Sequence, residues 1–244
     1  MNLEVLYIES QLSNSTGIIS PTVIWDENDC MLVDAGLPGS YESIKNEFVR
    51  IGVRIENLNK IIITHSDIDH IGGLAGIISN LPQKLEIISH SVEKPYIQAE
   101  VPPVKLSKME ESIKLLEGET YERMKVLANS LRQNYPKLKA DVDMVVDDGE
   151  ELPFLGGIEI IHMPGHTKGH ICLYLKNTKT LIAGDVLFVK ENKIINEAVF
   201  NFDNELALKS MEKLLGYDIE KIICYHGGIF TGNVEDGIKK ILGK

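Results

Sequence analysis

Four side chains of the kinds that bind metal ions lie within six residues of sequence, in His65-Ser-Asp67-Ile-Asp69-His70. His65 and Asp67 are two residues apart, so an extended backbone would point both side chains to the same side. Asp69 and His70 come after the chain turns, so they can face a second ion beside the first. Imidazole and carboxylate groups are common ligands of divalent metals. The stretch therefore predicts a metal site, with a polar loop whose aspartates cap a helix as the alternative interpretation.

The metal-ligand stretch follows a predicted strand and precedes a predicted helix. The apolar run from Ile61 to Ile63 indicates a buried strand, and Gly72 and Gly73 introduce a helical apolar pattern over 71–81. In open α/β sheets, binding sites form beyond the ends of the strands, and a helix N-terminus there favours a bound anion such as hydroxide. We therefore expect the ligands on a loop at one edge of a sheet.

Other predicted strands in the second half of the chain also end in histidine or aspartate next to glycine. The strands 158–161, 180–183 and 221–224 do so, and they lead into Pro164-Gly-His166-Thr-Lys-Gly-His170, Gly184-Asp185 and Tyr225-His226-Gly. Residues 142–146 and 171–175 also indicate strands. Glycine permits tight turns, so such loops can aim side chains at a shared centre. The pattern predicts a metal site assembled from several remote loops.

Three further residues are weaker candidates for the site. Asp34 lies in a glycine-containing loop after the predicted strand 31–33, where a loop or capping role is the more common interpretation. His90 ends the predicted strand 85–89, and we expect it beside the ligands or in a substrate pocket rather than on a metal. Tyr225 precedes His226 and is interpreted either as a core residue or as a hydrogen-bond donor to a developing oxyanion.

The remaining predicted elements frame a helical insertion. Residues 3–9 indicate a strand, 18–25 and 31–33 a hairpin, and 40–51, 204–215 and 234–242 helices. Residues 91–141 contain Pro95, Pro102 and Pro103 and two helical apolar stripes, of which Met109, Met124 and Leu127 can line an apolar pocket. We interpret this segment either as surface helices packed on the core, or as a lid or a homodimer face over the site.

Composition excludes several classes of protein. The 244 residues are enough for one large or two small domains, and 43% of them are hydrophobic. A formal charge of −11 argues against nucleic acid or an anionic membrane as the main partner. The three cysteines, an odd number far apart in sequence, predict reduced, buried thiols. Because we find neither a signal peptide nor a membrane span, we expect a cytoplasmic protein.

The order of the motifs resembles the metallo-β-lactamase superfamily of hydrolases. The resemblance rests on the 65–70 stretch, the 164–170 loop, Asp185 and His226, and it spans the chain from Asp34 to His226. It implies one α/β domain over residues 1–244, folded as a four-layer αββα sandwich with the metal site at one edge. The helical insertion at about 91–141 would be an addition to that domain.

The resemblance also implies an assignment of the metal ligands. His65, Asp67 and His166 would hold one ion, Asp69, His70 and His226 would hold another, and Asp185 would bridge the two. The family usually has histidine at the position of Asp67. A carboxylate can ligate zinc but is a harder ligand. We therefore expect two divalent ions, zinc in the first place, with iron or manganese more plausible than in an all-histidine site.

The function implied is hydrolysis of a small-molecule ester, lactone or thioester by a metal-bridging hydroxide that Asp69 orients. Alternatives with the same fold are an iron-dependent or di-iron oxidoreductase, a phosphodiesterase and a β-lactamase-type amide hydrolase. The absence of a signal peptide disfavours a secreted lactamase, and the acidic composition disfavours a nuclease. A binding protein that has lost activity is disfavoured because the ligand set is intact.

Overall fold

The computed structural model describes residues 1–12 and 15–244, and most of its strands belong to two sheets. In chain order the strands are β1 (Asn2–Val5), β2 (Ile8–Leu12), β3 (Ser15–Ile19), β4 (Thr22–Trp25), β5 (Cys30–Val33), β6 (Lys60–Ile63), β7 (Glu86–His90), β8 (Met144–Val146), β9 (Ile158–His162), β10 (Ile171–Leu175), β11 (Thr180–Gly184), β12 (Phe188–Lys190), β13 (Lys193–Ile195), β14 (Lys221–Cys224) and β15 (Gly228–Phe230). The first sheet has the order β1-β4-β5-β6-β7-β8 and the second β15-β14-β11-β10-β9, while β2–β3 and β12–β13 form two-stranded ribbons.

The helices lie on the outer faces of the two sheets or in the insertion. They are α1 (Tyr41–Arg50), α2 (Ile68–Ile71), α3 (Leu74–Asn80), α4 (Lys94–Ile97), α5 (Val104–Ile113), α6 (Gly118–Asn134), α7 (Asn204–Met211) and α8 (Val234–Ile241). Two helices have side-chain caps of the kind that supplies an acceptor to free backbone N–H groups. Asp203 accepts from the backbone of Leu206 at the start of α7, and Asn233 accepts from Asp236 at the start of α8.

Three apolar clusters lie between the four layers of helices and sheets. The side chains of β6 alternate between two of these clusters. Ile62 points to the cluster between the two sheets, where it joins residues such as Leu173 of β10. Ile61 and Ile63 point to the opposite face, in the cluster that includes Phe48 of α1. A third cluster packs the outer face of the second sheet against α7 and α8. Successive strand residues face opposite sides of a sheet, so the arrangement confirms the predicted αββα sandwich.

Two strands predicted near the N-terminus are each divided in the structure. Residues 3–9 form parts of β1 and β2, because the backbone N–H of Leu6 donates to Pro21 and that of Tyr7 donates to the Glu47 carboxylate. Residues 18–25 are divided between β3 and β4 at Pro21, which has no N–H to donate to a neighbouring strand. The hairpin of β4 and β5 is confirmed.

The helix predicted over 71–81 is two helices separated by Gly72 and Gly73. A side chain at Gly73 would lie 2.0 Å from the carbonyl oxygen of Ala35, so only glycine allows this approach of two backbones. As a result Asp69 and His70 lie in the short helix α2 rather than on a loop. The approach holds α2 against the segment that follows β5.

The insertion lies between β7 and β8 and contains α4, α5 and α6. Leu106, Ile113 and Ala128 form the buried centre of the α5–α6 contact, with Met109 and Met124 packed against it. Leu127, by contrast, is 46% exposed. The two predicted stripes therefore mainly pair the two helices with each other.

Two of the composition-based predictions can be compared directly with the described chain. Cys30, Cys172 and Cys224 are free and buried, as predicted. Over residues 1–12 and 15–244, no helix combines the length and apolar character that crossing a membrane requires.

Candidate metal centre

Seven potential ligands meet at one edge of the sandwich, beyond the strand ends that carry them. β9, β11 and β14 run in the same direction, since β10 is antiparallel to both β9 and β11, and β11 is parallel to β14. Their carboxyl ends therefore lie at one edge of the second sheet, and the segment after β6 faces them. Three groups have ligand atoms within 4.8 Å of one another: His65, Asp67 and His166; Asp69, His70 and His226; and His65, His70 and Asp185.

We call the trio of His65, Asp67 and His166 the first ligand set. Oδ2 of Asp67 lies 3.2 Å from Nε2 of His65 and 3.0 Å from Nε2 of His166. The three side chains converge on one point, although His166 comes from a loop 99 residues further along the chain than Asp67.

The second ligand set consists of Asp69, His70 and His226. Oδ2 of Asp69 lies 3.2 Å from Nε2 of His226 and 3.9 Å from Nε2 of His70. The ring of Phe188 stacks on that of His226, with 5.4 Å between the centroids, and covers one side of the set.

Asp185 lies between the two sets. Its Oδ1 is 3.4 Å from Nε2 of His70, and its Oδ2 is 3.4 Å from Nε2 of His226. The same Oδ2 is 3.7 Å from Nε2 of His166 in the first set. One carboxylate therefore reaches both sets, as a bridging ligand must.

Two buried atoms at this point are suited to a metal ion. Nε2 of His70 and Oδ1 of Asp185 are buried without a hydrogen-bond partner, although they face each other. Leaving such atoms unsatisfied costs free energy, and a cation between them would satisfy both. The donors are imidazole nitrogens and carboxylate oxygens, which suit zinc as well as manganese and iron. The residues therefore fit divalent metal ions.

The charges around the second set favour a cation. Burial lowers the pKa of His70, but the carboxylates of Asp34, Asp185 and Asp69 outweigh it and hold the pKa well above its usual value. Burial likewise lowers the pKa of His226, yet hydrogen bonds to Asp185 and Asp69 raise it to about 9. Positive charge is stabilised at this position whether a proton or a metal carries it.

Metal binding is therefore expected to release protons. The pKa of His226 is raised to about 9, so the imidazole holds a proton at neutral pH that it must lose to become a ligand. Affinity for zinc should rise with pH through that value, since His70, whose pKa is also raised, must lose a proton as well. Calorimetric titration in buffers of different ionisation enthalpy measures the effect, and we expect about two protons released at neutral pH, one from His226 and one from His70. An affinity that does not change between about pH 6 and about pH 9 would contradict the expectation.

Asp34 lies directly behind His70, where it can orient the ring. It has a positive φ of 64° after β5, and it accepts hydrogen bonds from the backbone and the hydroxyl of Thr64. Nδ1 of His70 donates to Oδ2 of Asp34 at 2.9 Å, so Nε2 faces the site and becomes a ligand atom once its proton is lost. Asp34 is thus placed to fix the tautomer and direction of a ligand.

Replacing Asp34 with alanine should lower zinc affinity by about ten- to a hundredfold, the usual cost of removing the partner of a ligating histidine. Competition with a coloured chelator measures it. Asp26→Ala is the matched control, because that carboxylate accepts two backbone hydrogen bonds in the β4–β5 turn, away from the ligands. Equal affinities for the two variants would show that Asp34 does not orient His70.

The structure gives the contacts of two of the weaker candidates, His90 and Tyr225. The ring of His90 stacks on that of His162 at 4.1 Å between centroids, and its Nε2 lies 3.4 Å from the Asp147 carboxylate. His90 is therefore not part of either ligand set. Tyr225 is buried, packs on the ring of His70, and donates its hydroxyl proton to the backbone carbonyl of Asp69. This hydrogen bond holds the backbone of Asp69 in place. It also uses the hydroxyl proton of Tyr225, which is therefore not free to be donated to an oxyanion.

Two functional residues have no signal in the sequence. Glu93 is buried, and its carboxylate accepts from the backbone of Ser66, the hydroxyl of Thr167 and the backbone of Gly169. It thereby ties together the two loops that carry His65 and His166. Lys105, in the first turn of α5, contacts the Asp67 carboxylate. Both residues lie outside any recognisable motif, and only the fold brings them to the site.

Three cavities open beside the ligands, and two of them are lined by both Asp67 and Asp69. One of about 380 Å³ is lined by ligand residues together with Phe188, Glu197 and Phe200. The other, of about 180 Å³, has an apolar wall of Pro103, Leu106, Leu131 and Tyr135 beside Asp67, Asp69 and Lys105. The insertion therefore does line the site, but through Leu106 and Leu131. The expected pocket residues Met109, Met124 and Leu127 lie elsewhere, in the α5–α6 contact or exposed.

Comparison with known proteins gives a consistent result. The family model described as the metallo-beta-lactamase superfamily matches residues 15–226. The chain is 32% identical to the probable metallo-hydrolase YflN of Bacillus subtilis, over 83% of this chain and 76% of that protein. It is 30% identical to an N-acyl homoserine lactonase of a Bacillus species, over 74% of this chain and 64% of the lactonase.

A solved structure agrees in fold. A metallo-beta-lactamase family protein from Thermus thermophilus superposes with a TM-score of 0.74, over 99% of this chain and 78% of the other, at 17% identity. At that identity the likeness concerns the fold alone.

Proposed function

Because the chain belongs to the metallo-β-lactamase superfamily, we propose that it is a metal-dependent hydrolase of a small ester, lactone or thioester. The observation that carries the proposal is the position of Asp185, whose carboxylate lies within 3.7 Å of histidines from both ligand sets. Divalent ions held by these residues would supply a water activated at neutral pH and a Lewis acid for a substrate carbonyl.

The protein's own residues would position and deprotonate the reactants. Burial raises the pKa of Asp69, but His70 and His226 outweigh it, so the carboxyl pKa is lowered and the group is ionised at neutral pH. Asp69 lines the 380 Å³ cavity and can accept a proton from a water there. Tyr225 holds the backbone of Asp69 in place, and Phe188 restricts water beside His226.

The cavities support a small acyl substrate. The larger cavity has room for the scissile group and its immediate substituents, and the apolar wall of Leu106, Leu131 and Tyr135 suits a hydrocarbon part. The lactonase named above adds support for a lactone, since it is 30% identical to this chain. The proposed partner is thus a small molecule, bound between the ligand sets and the insertion.

The test is a substrate screen on protein of known metal content. Metal-free protein is reloaded with zinc, and hydrolysis of aryl esters, acyl homoserine lactones and acyl thioesters is followed, with Asp69→Ala as the inactive variant and Asp203→Ala at the α7 cap as its control. Turnover that needs both metal and Asp69 would support the proposal. Absence of turnover on all three classes with the sites loaded would overturn it.

Asp67 is the one residue that favours a second candidate function, that of an iron-dependent oxidoreductase. A carboxylate is a harder ligand than the usual histidine and suits iron, so an iron-dependent oxidoreductase is the alternative. Elemental analysis of protein purified without added metal distinguishes the two. Zinc supports the hydrolase, whereas stoichiometric iron with a ferric absorption spectrum would favour the oxidoreductase.

A further inference from the structure

Lys105 places an ammonium group at the first ligand set. Its Nζ contacts Oδ2 of Asp67 and lies 3.2 Å from Nε2 of His166. The same oxygen of Asp67 is the one on which His65 and His166 converge. The lysine therefore touches two of the three side chains of this set, at the atoms that would bind a metal.

The second ligand set differs in this respect. Within residues 1–12 and 15–244, the ion-pair contacts of the Asp69 carboxylate are with the histidines His70 and His226, and those of Asp185 are with histidines as well. An ion in the second set would meet carboxylates and imidazoles. An ion in the first set would meet an ammonium group a few ångströms away, and like charges at that distance in a partly buried site repel strongly.

We propose that Lys105 and a metal ion exclude each other from the first ligand set. The chain then holds one ion tightly in the second set, and a second ion enters only when Lys105 withdraws. The lysine side chain is 43% exposed, so it can leave by rotating into solvent while Leu106 keeps α5 packed.

The pairing also gives a physical reason for Asp67. A carboxylate can balance the charge of Lys105, whereas a neutral histidine at this position would leave the ammonium without an anionic partner in the set. The aspartate and the lysine thus act together, although one lies beside β6 and the other in the insertion. The proposal rests on the proposed function only in requiring that metal binds at these residues.

Metal stoichiometry tests the proposal without an activity assay. Metal-free protein is titrated with zinc by calorimetry, and bound metal is counted by elemental analysis after removal of free ions. For the wild type we expect one tight equivalent and a second at least about tenfold weaker. In Lys105→Met, which removes the charge and keeps the length, the second equivalent should tighten by about tenfold or more.

Three further variants define the outcome. Lys105→Arg keeps the charge and should behave as the wild type, and so should Lys114→Met, an exposed lysine at the end of the same helix. Asp67→His removes the anion that holds the lysine and should also tighten the second equivalent. Two equally tight equivalents in the wild type, or no change in both Lys105→Met and Asp67→His, would overturn the proposal. These results are independent of the substrate screen, so the two proposals can fail separately.

Discussion

An Asp185→Asn protein is expected to lose more than about a hundredfold in turnover of the proposed ester or lactone substrate and to bind less metal, because even residues that only support ligands are worth about ten- to a hundredfold. Asp185 is the carboxylate that approaches histidines of both ligand sets. Asparagine keeps its size but removes the charge that balances bound cations. The backbone N–H of residue 185, which donates to His170, is unaffected.

The comparison should be made on protein of measured metal content, so that weaker metal binding and slower chemistry can be separated. Asp218→Asn is the matched control, since that carboxylate is 72% exposed and pairs with Lys179. The two residues precede β14 and β11 respectively, at the opposite ends of these strands from His226 and Asp185. If Asp185→Asn kept the metal content of the wild type and its turnover stayed within a few-fold of wild type, the bridging role would be wrong.

Removal of the Glu93 carboxylate should be the most damaging change to stability among the residues around the site. In Glu93→Ala, the backbone N–H groups of Ser66 and Gly169 and the hydroxyl of Thr167 lose their acceptor in a buried place. Each unsatisfied buried donor costs about 1–3 kcal/mol, so we expect the free energy of unfolding to fall by roughly 3–5 kcal/mol. The loop that carries His166 should loosen at the same time, and metal affinity with it.

Denaturant unfolding of the metal-free proteins measures this effect, because bound metal would itself stabilise the native state. Glu93→Gln retains one acceptor oxygen and should lose less than alanine does. Glu117→Ala serves as the control, since Glu117 precedes α6 and is exposed. A Glu93→Ala protein as stable as the control would mean that water replaces the lost acceptor.

Much of the metal centre could be predicted because its signal is local. His65, Asp67, Asp69 and His70 stand together after one strand, and His166, Asp185 and His226 each follow another strand beside a glycine. Strands that run in one direction bring their ends to one edge, so a residue's place after a strand is enough to indicate where its side chain lies. The layers were predictable for a different reason, since the order of the motifs resembles the metallo-β-lactamase superfamily and that resemblance implies the αββα sandwich.

Other features depend on contacts that a local pattern does not contain. The break between β1 and β2 follows from donors that pair with Pro21 and Glu47 elsewhere in the chain. The division of α2 from α3 follows from the approach of Gly73 to the Ala35 carbonyl. In each case apolar periodicity favours a longer element, and a tertiary hydrogen bond or a close backbone contact ends it.

By itself, the sequence predicted the clustered ligands of the 65–70 stretch and the helical insertion from residue type and position. The αββα sandwich and the two ligand sets were implied by the resemblance of the ordered motifs to the metallo-β-lactamase superfamily. Only the tertiary structure decided that Asp34 orients His70, that Glu93 joins the two ligand loops and that Lys105 contacts Asp67. These residues act through partners that lie between 27 and 76 positions away in the chain. The sequence around a charged residue does not indicate which distant residue it will contact, because that contact depends on how the layers pack against each other.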